Sequence, residues 1–156
     1  MIAACARGER AGRFTAEWSS ADTTIGTGQI AASAHASWCQ ATGRLTVLGV
    51  GTDSGVAVLY RSDAVRGGEY PIVDTTTSRA PSAVVGVRFV QGIKVLALSS
   101  DSGTLTLDPG DGSQVSGRFS AWFRESGTAS PVEVRGRFTG VRIAPDSAAC
   151  LVESPP

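Results

Sequence analysis

The stretch Val115-Ser116-Gly117-Arg118-Phe119-Ser120-Ala121-Trp122-Phe123 decides the fold. Val115, Gly117, Phe119, Ala121 and Phe123 share one parity, and Ser116, Arg118, Ser120 and Trp122 share the other. A period of two is the signature of a β-strand with one buried and one wetted face, because successive side chains leave the backbone on opposite sides. Residues 132–138 repeat the pattern, with Val132, Val134, Gly136 and Phe138 set against Glu133, Arg135 and Arg137. The two stretches are expected to pair as a hairpin. Beyond Phe138 the apolar residues Val141 and Ile143 fall on the opposite parity, and a bulge at Gly140 would return them to the core side.

Working outward, the same alternation marks Arg44–Val50, Gly55–Arg61, Ser82–Val90, Ile93–Leu98 and Gly103–Leu107 as strands. Between them lie turn signals at 41–43, 52–55, 66–68, 91–92, 101–103 and 108–112, rich in Gly, Asp and Ser. Gly supplies the positive φ that tight turns need, and Asp or Ser side chains bond back to the backbone. The Ala-rich segment 29–38 fits two templates. Ile30, Ala34 and Trp38 are four apart, as on a helix, yet strand pairing segregates Gln29, Ser33, His35 and Ser37 more cleanly and feeds the turn at 41–43. A strand is expected there. Short strands at this spacing predict an all-β, antiparallel β-sandwich or flattened β-barrel of about 8–10 strands with little helix.

Composition agrees. The chain of 156 residues suffices for one domain with a real core. Its 19 glycines and its abundance of Ser, Thr and Val disfavour a helical protein. The formal net charge is +0, which removes the long-range attraction that nucleic-acid binders use. No run approaches the ~20 apolar residues of a membrane-spanning helix. The expected organisation is an N-terminal tether at 1–10, one β domain at 11–150 and a tail at 151–156.

A tripeptide recurs with a physical meaning. Gly-Arg-Phe followed by Ser or Thr stands at 12–15, 117–120 and 136–139. Each copy puts Gly and Phe on one face, so a ring sits beside a gap on the same strand. A Phe from a neighbouring strand would lie over that Gly and fill the core.

The chemistry-bearing residues are sparse. His35 is the lone histidine, placed on the polar face of its strand with no acid beside it in sequence. Gly-x-Ser-x-Gly is absent, and no pair of carboxylates is singled out for glycoside cleavage. No catalytic residue, metal ligand or cofactor is therefore assigned. Cys39 and Cys150 are expected to form a disulfide that pins the C-terminal tail, worth about 4–5 kcal/mol for so long a loop in the chain-entropy view. If the hairpin forms, Arg118, Arg124, Arg135 and Arg137 share its outer face with Trp122. That surface is expected to carry solvated ion pairs or, more sharply, an arginine stripe for phosphates of lipid headgroups or an acidic partner.

Near the start, Ile2-Ala3-Ala4-Cys5 resembles the lipobox of bacterial lipoproteins: a branched aliphatic residue, two small residues, then the cysteine that takes the lipid. The charged and apolar leader that precedes such a box is expected upstream of Met1. With its all-β body the chain resembles the small bacterial envelope lipoproteins. The resemblance implies lipidation at Cys5, an extracytoplasmic address on the membrane through a lipid anchor, and a non-enzymatic binding module for an envelope partner. Other readings are a structural subunit that pairs through edge strands, a hydrolase, or a lipocalin-like carrier with an internal cavity of several hundred Å³.

Overall fold

A computed structural model describes residues 11–21, 25–77, 79–124 and 131–145. The expected Cys5 lipid site, Cys150 and both terminal segments lie outside the described residues. Within them the chain is all-β: β1 (Arg13–Ser19), β2 (Thr27–Cys39), β3 (Arg44–Val50), β4 (Ser54–Arg61), β5 (Gly68–Val73), β6 (Ser82–Gln91), β7 (Lys94–Leu107), β8 (Gln114–Phe123) and β9 (Val132–Pro145). They close into a barrel in the order β1-β2-β3-β4-β6-β5-β7-β8-β9, with further pairings of β2 to β9 and β6 to β7. Segment 29–38 is strand, as its polar segregation predicts.

The glycine–phenylalanine repeat explains how the barrel is filled. Across the antiparallel β8–β9 pair, Gly117 faces Phe138, Arg118 faces Arg137, and Phe119 faces Gly136. Each ring thus covers the other strand's glycine. A Cβ on Gly117 would lie 2.9 Å from Phe138 Cζ, and one on Gly136 would collide with the Phe119 ring. The third copy sits on β1, where Phe14 pairs with Phe138 and its ring presses on Gly49 of β3. The three repeated rings meet in one cluster, with Phe14 6.3 Å from Phe138 and 6.2 Å from Phe119 between centroids. All three are buried. Burying such a side chain contributes roughly 1.5–3 kcal/mol, and each ring pair about 0.5–1.5 more.

Two irregularities let short strands close the ring. At Gly140 (φ +60) β9 bulges, and the Gly140 N–H donates to Ser116 Oγ at 2.8 Å. The bulge brings Val141 to the core and carries 143–145 past the start of β1 to pair in parallel with Ala36, Ser37 and Trp38 of β2. The second irregularity corrects an expectation. Residues 101–103 do not turn: Ile93–Leu98 and Gly103–Leu107 belong to one hairpin arm, in which β7 runs continuously from Lys94 to Leu107. A register shift between Ser100 and Ser102 bends the strand, so that its first half pairs with β6 and its second with β5. Buried Ser100 accepts from Val85 N–H and donates to the Val73 carbonyl, both at 3.0 Å, bonding β6 and β5 where β7 changes partner. The Gly that signals a turn here serves a close approach, since a Cβ on Gly103 would strike the β8 backbone at Ser120.

Strand β5 carries no alternation and contains Pro71, which argues against a strand in sequence. It forms because only its β7 side is fully paired; toward β6 it is held by the single Ile72–Ala83 pairing. Its Tyr70 ring packs on Tyr60 at 4.7 Å. Burial pushes the Tyr60 hydroxyl up to about 12, helped by Tyr70 and opposed by a hydrogen bond with Ser62. The folded state therefore holds the neutral phenol, whereas the unfolded chain loses that proton near pH ~10. Stability is full below about pH 10 and falls as pH rises toward 12, because there the unfolded chain binds fewer protons. Urea midpoints measured from pH 9 upward should show this decline, and Tyr60→Phe should flatten it.

Candidate functional site: two outer faces

Odd residues of β8 and, before the Gly140 bulge, even residues of β9 fill the core, so the opposite parities there form the wall facing solvent. Pairing across β7, β8, β9 and β1 sets them in rows: Thr106–Arg118–Arg137–Thr15, then Thr104–Ser120–Arg135–Glu17, then Ser102–Trp122–Glu133–Ser19. The second and third rows hold one arginine and two glutamates. Arg135 Nε donates to Glu133 Oε1 at 2.7 Å, and Ser120 Oγ donates to the same oxygen at 3.1 Å. The Glu133 hydrogen bond and charge, with a smaller effect from Glu17, hold the Arg135 guanidinium still more firmly protonated. The first row differs: two guanidinium-bearing side chains stand directly opposite each other between two threonines. Like charges in such cross-strand positions repel. Among the described residues neither Arg118 nor Arg137 makes an ion pair. A cleft of about 550 Å³ opens beside them, lined by Thr15, Glu17, Gln29, Arg118, Arg135 and Arg137.

The structure thus brings together Arg118, Arg135, Arg137 and Trp122 on one face. Trp122 is 41% exposed there, beside Glu133. Arg124 lies one residue beyond β8, exposed at the barrel end and outside the paired rows.

A second face was not read from the sequence. Of the six large hydrophobic residues exposed among the described residues, five lie on β3, β6, β7 and the β6–β7 turn: Leu48, Val50, Val90, Ile93 and Val95. The pairing explains their grouping. Leu48 neighbours Ala57, Gly86 and Ser99 in one outer row; Val50 neighbours Gly55, Arg88 and Ala97 in the next; Val90 pairs with Val95 in the last. Small residues therefore floor a cleft of about 510 Å³ rimmed by Leu48, Val50 and Val90. At the end of this face β6 and β7 are joined by the two-residue turn Gly92-Ile93. Gly92 takes φ +62, and Ile93 is fully exposed. The available signal was a broken alternation: Val47-Leu48, Phe89-Val90 and Val95-Leu96 are apolar on both parities.

The remaining candidates separate. His35 is exposed on the outer face of β2, paired with Leu48, above an open cleft in which no carboxylate takes part. The described residues hold no group of His, Cys, Asp and Glu spaced for a metal ion. Asp111 accepts from Ser113 N–H at 2.8 Å and from its hydroxyl at 2.6 Å, bonds that hold its carboxyl below the usual range and mark the 108–112 loop as a capped turn. No described helix is long and apolar enough to cross a membrane. Cys39, the last residue of β2, is wholly buried although it shares an outer row with Arg44 and Arg61. Comparison with protein families, with curated proteins and with solved structures finds no match to this chain.

Proposed function

We propose that the protein is a non-enzymatic, extracytoplasmic lipoprotein that serves as an interaction module at the bacterial envelope. In this reading lipid on Cys5 tethers it, and the face of β3, β4, β6 and β7 receives an envelope protein. The grouping of five exposed hydrophobic side chains on this face, three of them rimming the small-residue floor together with Arg88, carries the proposal. Single exposed hydrophobics are ordinary, but a contiguous patch costs solubility and marks a contact surface. The ring closure supports a face rather than a strand edge as the contact, since a closed barrel offers few unpaired edges. The rings over Gly117 and Gly136 support a filled interior over a lipocalin-like cup.

A Cys39–Cys150 disulfide belongs to the same reading. The end of β9 lies beside Trp38, next to buried Cys39, and Pro145 precedes Cys150 by five positions. Thiol titration of denatured, unreduced protein should find neither cysteine reactive; two reactive thiols there would dismiss the bridge.

A photo-crosslinking residue at Val95 should trap a discrete envelope protein in cells, and Val50→Asp should abolish the adduct without unfolding the barrel. Palmitate fed to cells carrying the natural gene should label the wild type and not Cys5→Ser. Equal crosslinking from Val95 and from Thr106 would refute the contact face, and absence of label would refute the tether.

A further inference from the structure

We propose that Arg118 and Arg137 form a binding site for a doubly charged phosphate group. The pair persists in the fold at an electrostatic cost. Directly opposed side chains on an antiparallel sheet have Cβ atoms about 5 Å apart, so the two cations repel unless an anion lies between them. Of the nearby carboxylates, Glu133 is held by Arg135 and Ser120, and Glu17 lies opposite Arg135 on the wall of the same cleft without an ion pair to either Arg118 or Arg137. Across β7, β8, β9 and β1 the row reads Thr106–Arg118–Arg137–Thr15, two guanidinium forks between two hydroxyls, with Glu69 of β5 next in line beyond Thr106.

The chemistry of the row selects among anions. A carboxylate has two oxygens and one charge, which a single guanidinium satisfies in bidentate fashion. A phosphate monoester or inorganic phosphate carries about two negative charges and at least three strong acceptor oxygens. It matches two positive forks flanked by hydroxyl donors better than a single carboxylate does. The cleft of about 550 Å³ beside the pair leaves room for the group and for what it is attached to. The site is independent of the apolar face, which lies on β3, β4, β6 and β7.

Two properties distinguish such a site from a solvated arginine surface. Filling it relieves a repulsion, so the protein gains stability; removing one arginine relieves the same repulsion without ligand. The experiment is thermal unfolding of the described barrel within the full chain, in chloride and in inorganic phosphate at matched ionic strength. At a phosphate concentration about ten times the dissociation constant, the wild-type midpoint should rise by roughly 3–5 °C. Arg118→Gln and Arg137→Gln should each match or exceed the wild-type midpoint in chloride and lose the phosphate-dependent rise. Arg142→Gln, outside the row, should keep it. Vesicles of phosphatidic acid against phosphatidylcholine then separate the sources. Arginine-dependent binding to the former assigns the phosphate to a lipid headgroup; its absence, with the phosphate effect intact, assigns it to a soluble phosphate ester. An equal rise in the arginine variants, or binding of poly-glutamate without a phosphate effect, overturns the proposal.

Discussion

The barrel depends on one steric exchange. Gly117 and Gly136 lie diagonally across β8 and β9, and each accepts the phenylalanine that stands opposite it. A glycine in a strand costs stability through chain entropy and lost contact area. Here the missing side chain is the space that the opposing ring fills, so interior density is kept without bulk on both strands. Phe14 extends the exchange to β1 and, through Gly49, to β3. Four of the nine described strands therefore meet at one aromatic cluster, and their registers are mutually constrained. A slip of one residue would place a ring outside and an arginine inside.

This constraint also determines what the outside looks like. Because Gly117, Phe119, Gly136 and Phe138 face inward, Arg118 and Arg137 must face outward and directly oppose each other. The arginine pair follows geometrically from the packing of the core. Its lack of a carboxylate partner does not follow, since Thr15 and Thr106 occupy positions where an acid would sit comfortably. That choice gives the surface its chemical character. On the other side of the barrel, small residues at 55, 57, 86 and 97 leave a shallow floor among exposed valines.

Much of this was legible in the alternation of residues 115–123 and 132–138, where one face is apolar and the other polar apart from Trp122. The bulge at Gly140 was legible because a parity change coincided with a glycine. The continuity of β7 was hidden, because Asp101-Ser102-Gly103 carries turn chemistry that the structure spends on a bend and a change of pairing partner. Strand β5 was hidden by Pro71, which a partly paired strand tolerates. The arginine face was visible as a set of residues, but the sequence did not separate the neutralised Arg135 from the opposed Arg118 and Arg137. Register alone makes that distinction. The apolar face was missed because its members come from distant strands and only the closed sheet aligns them.

The central claim is tested by a double-mutant cycle between Gly136→Ala and Phe119→Leu, read by denaturant unfolding. Gly136→Ala alone should cost about 1–3 kcal/mol through overpacking against the ring, and Phe119→Leu should also destabilise. In the double variant the smaller side chain makes room for the new methyl group, so the account predicts a loss smaller than the sum, with a coupling of about 1 kcal/mol or more. Losses that add to within about 0.3–0.5 kcal/mol would contradict the claim that each ring occupies the space its partner glycine leaves.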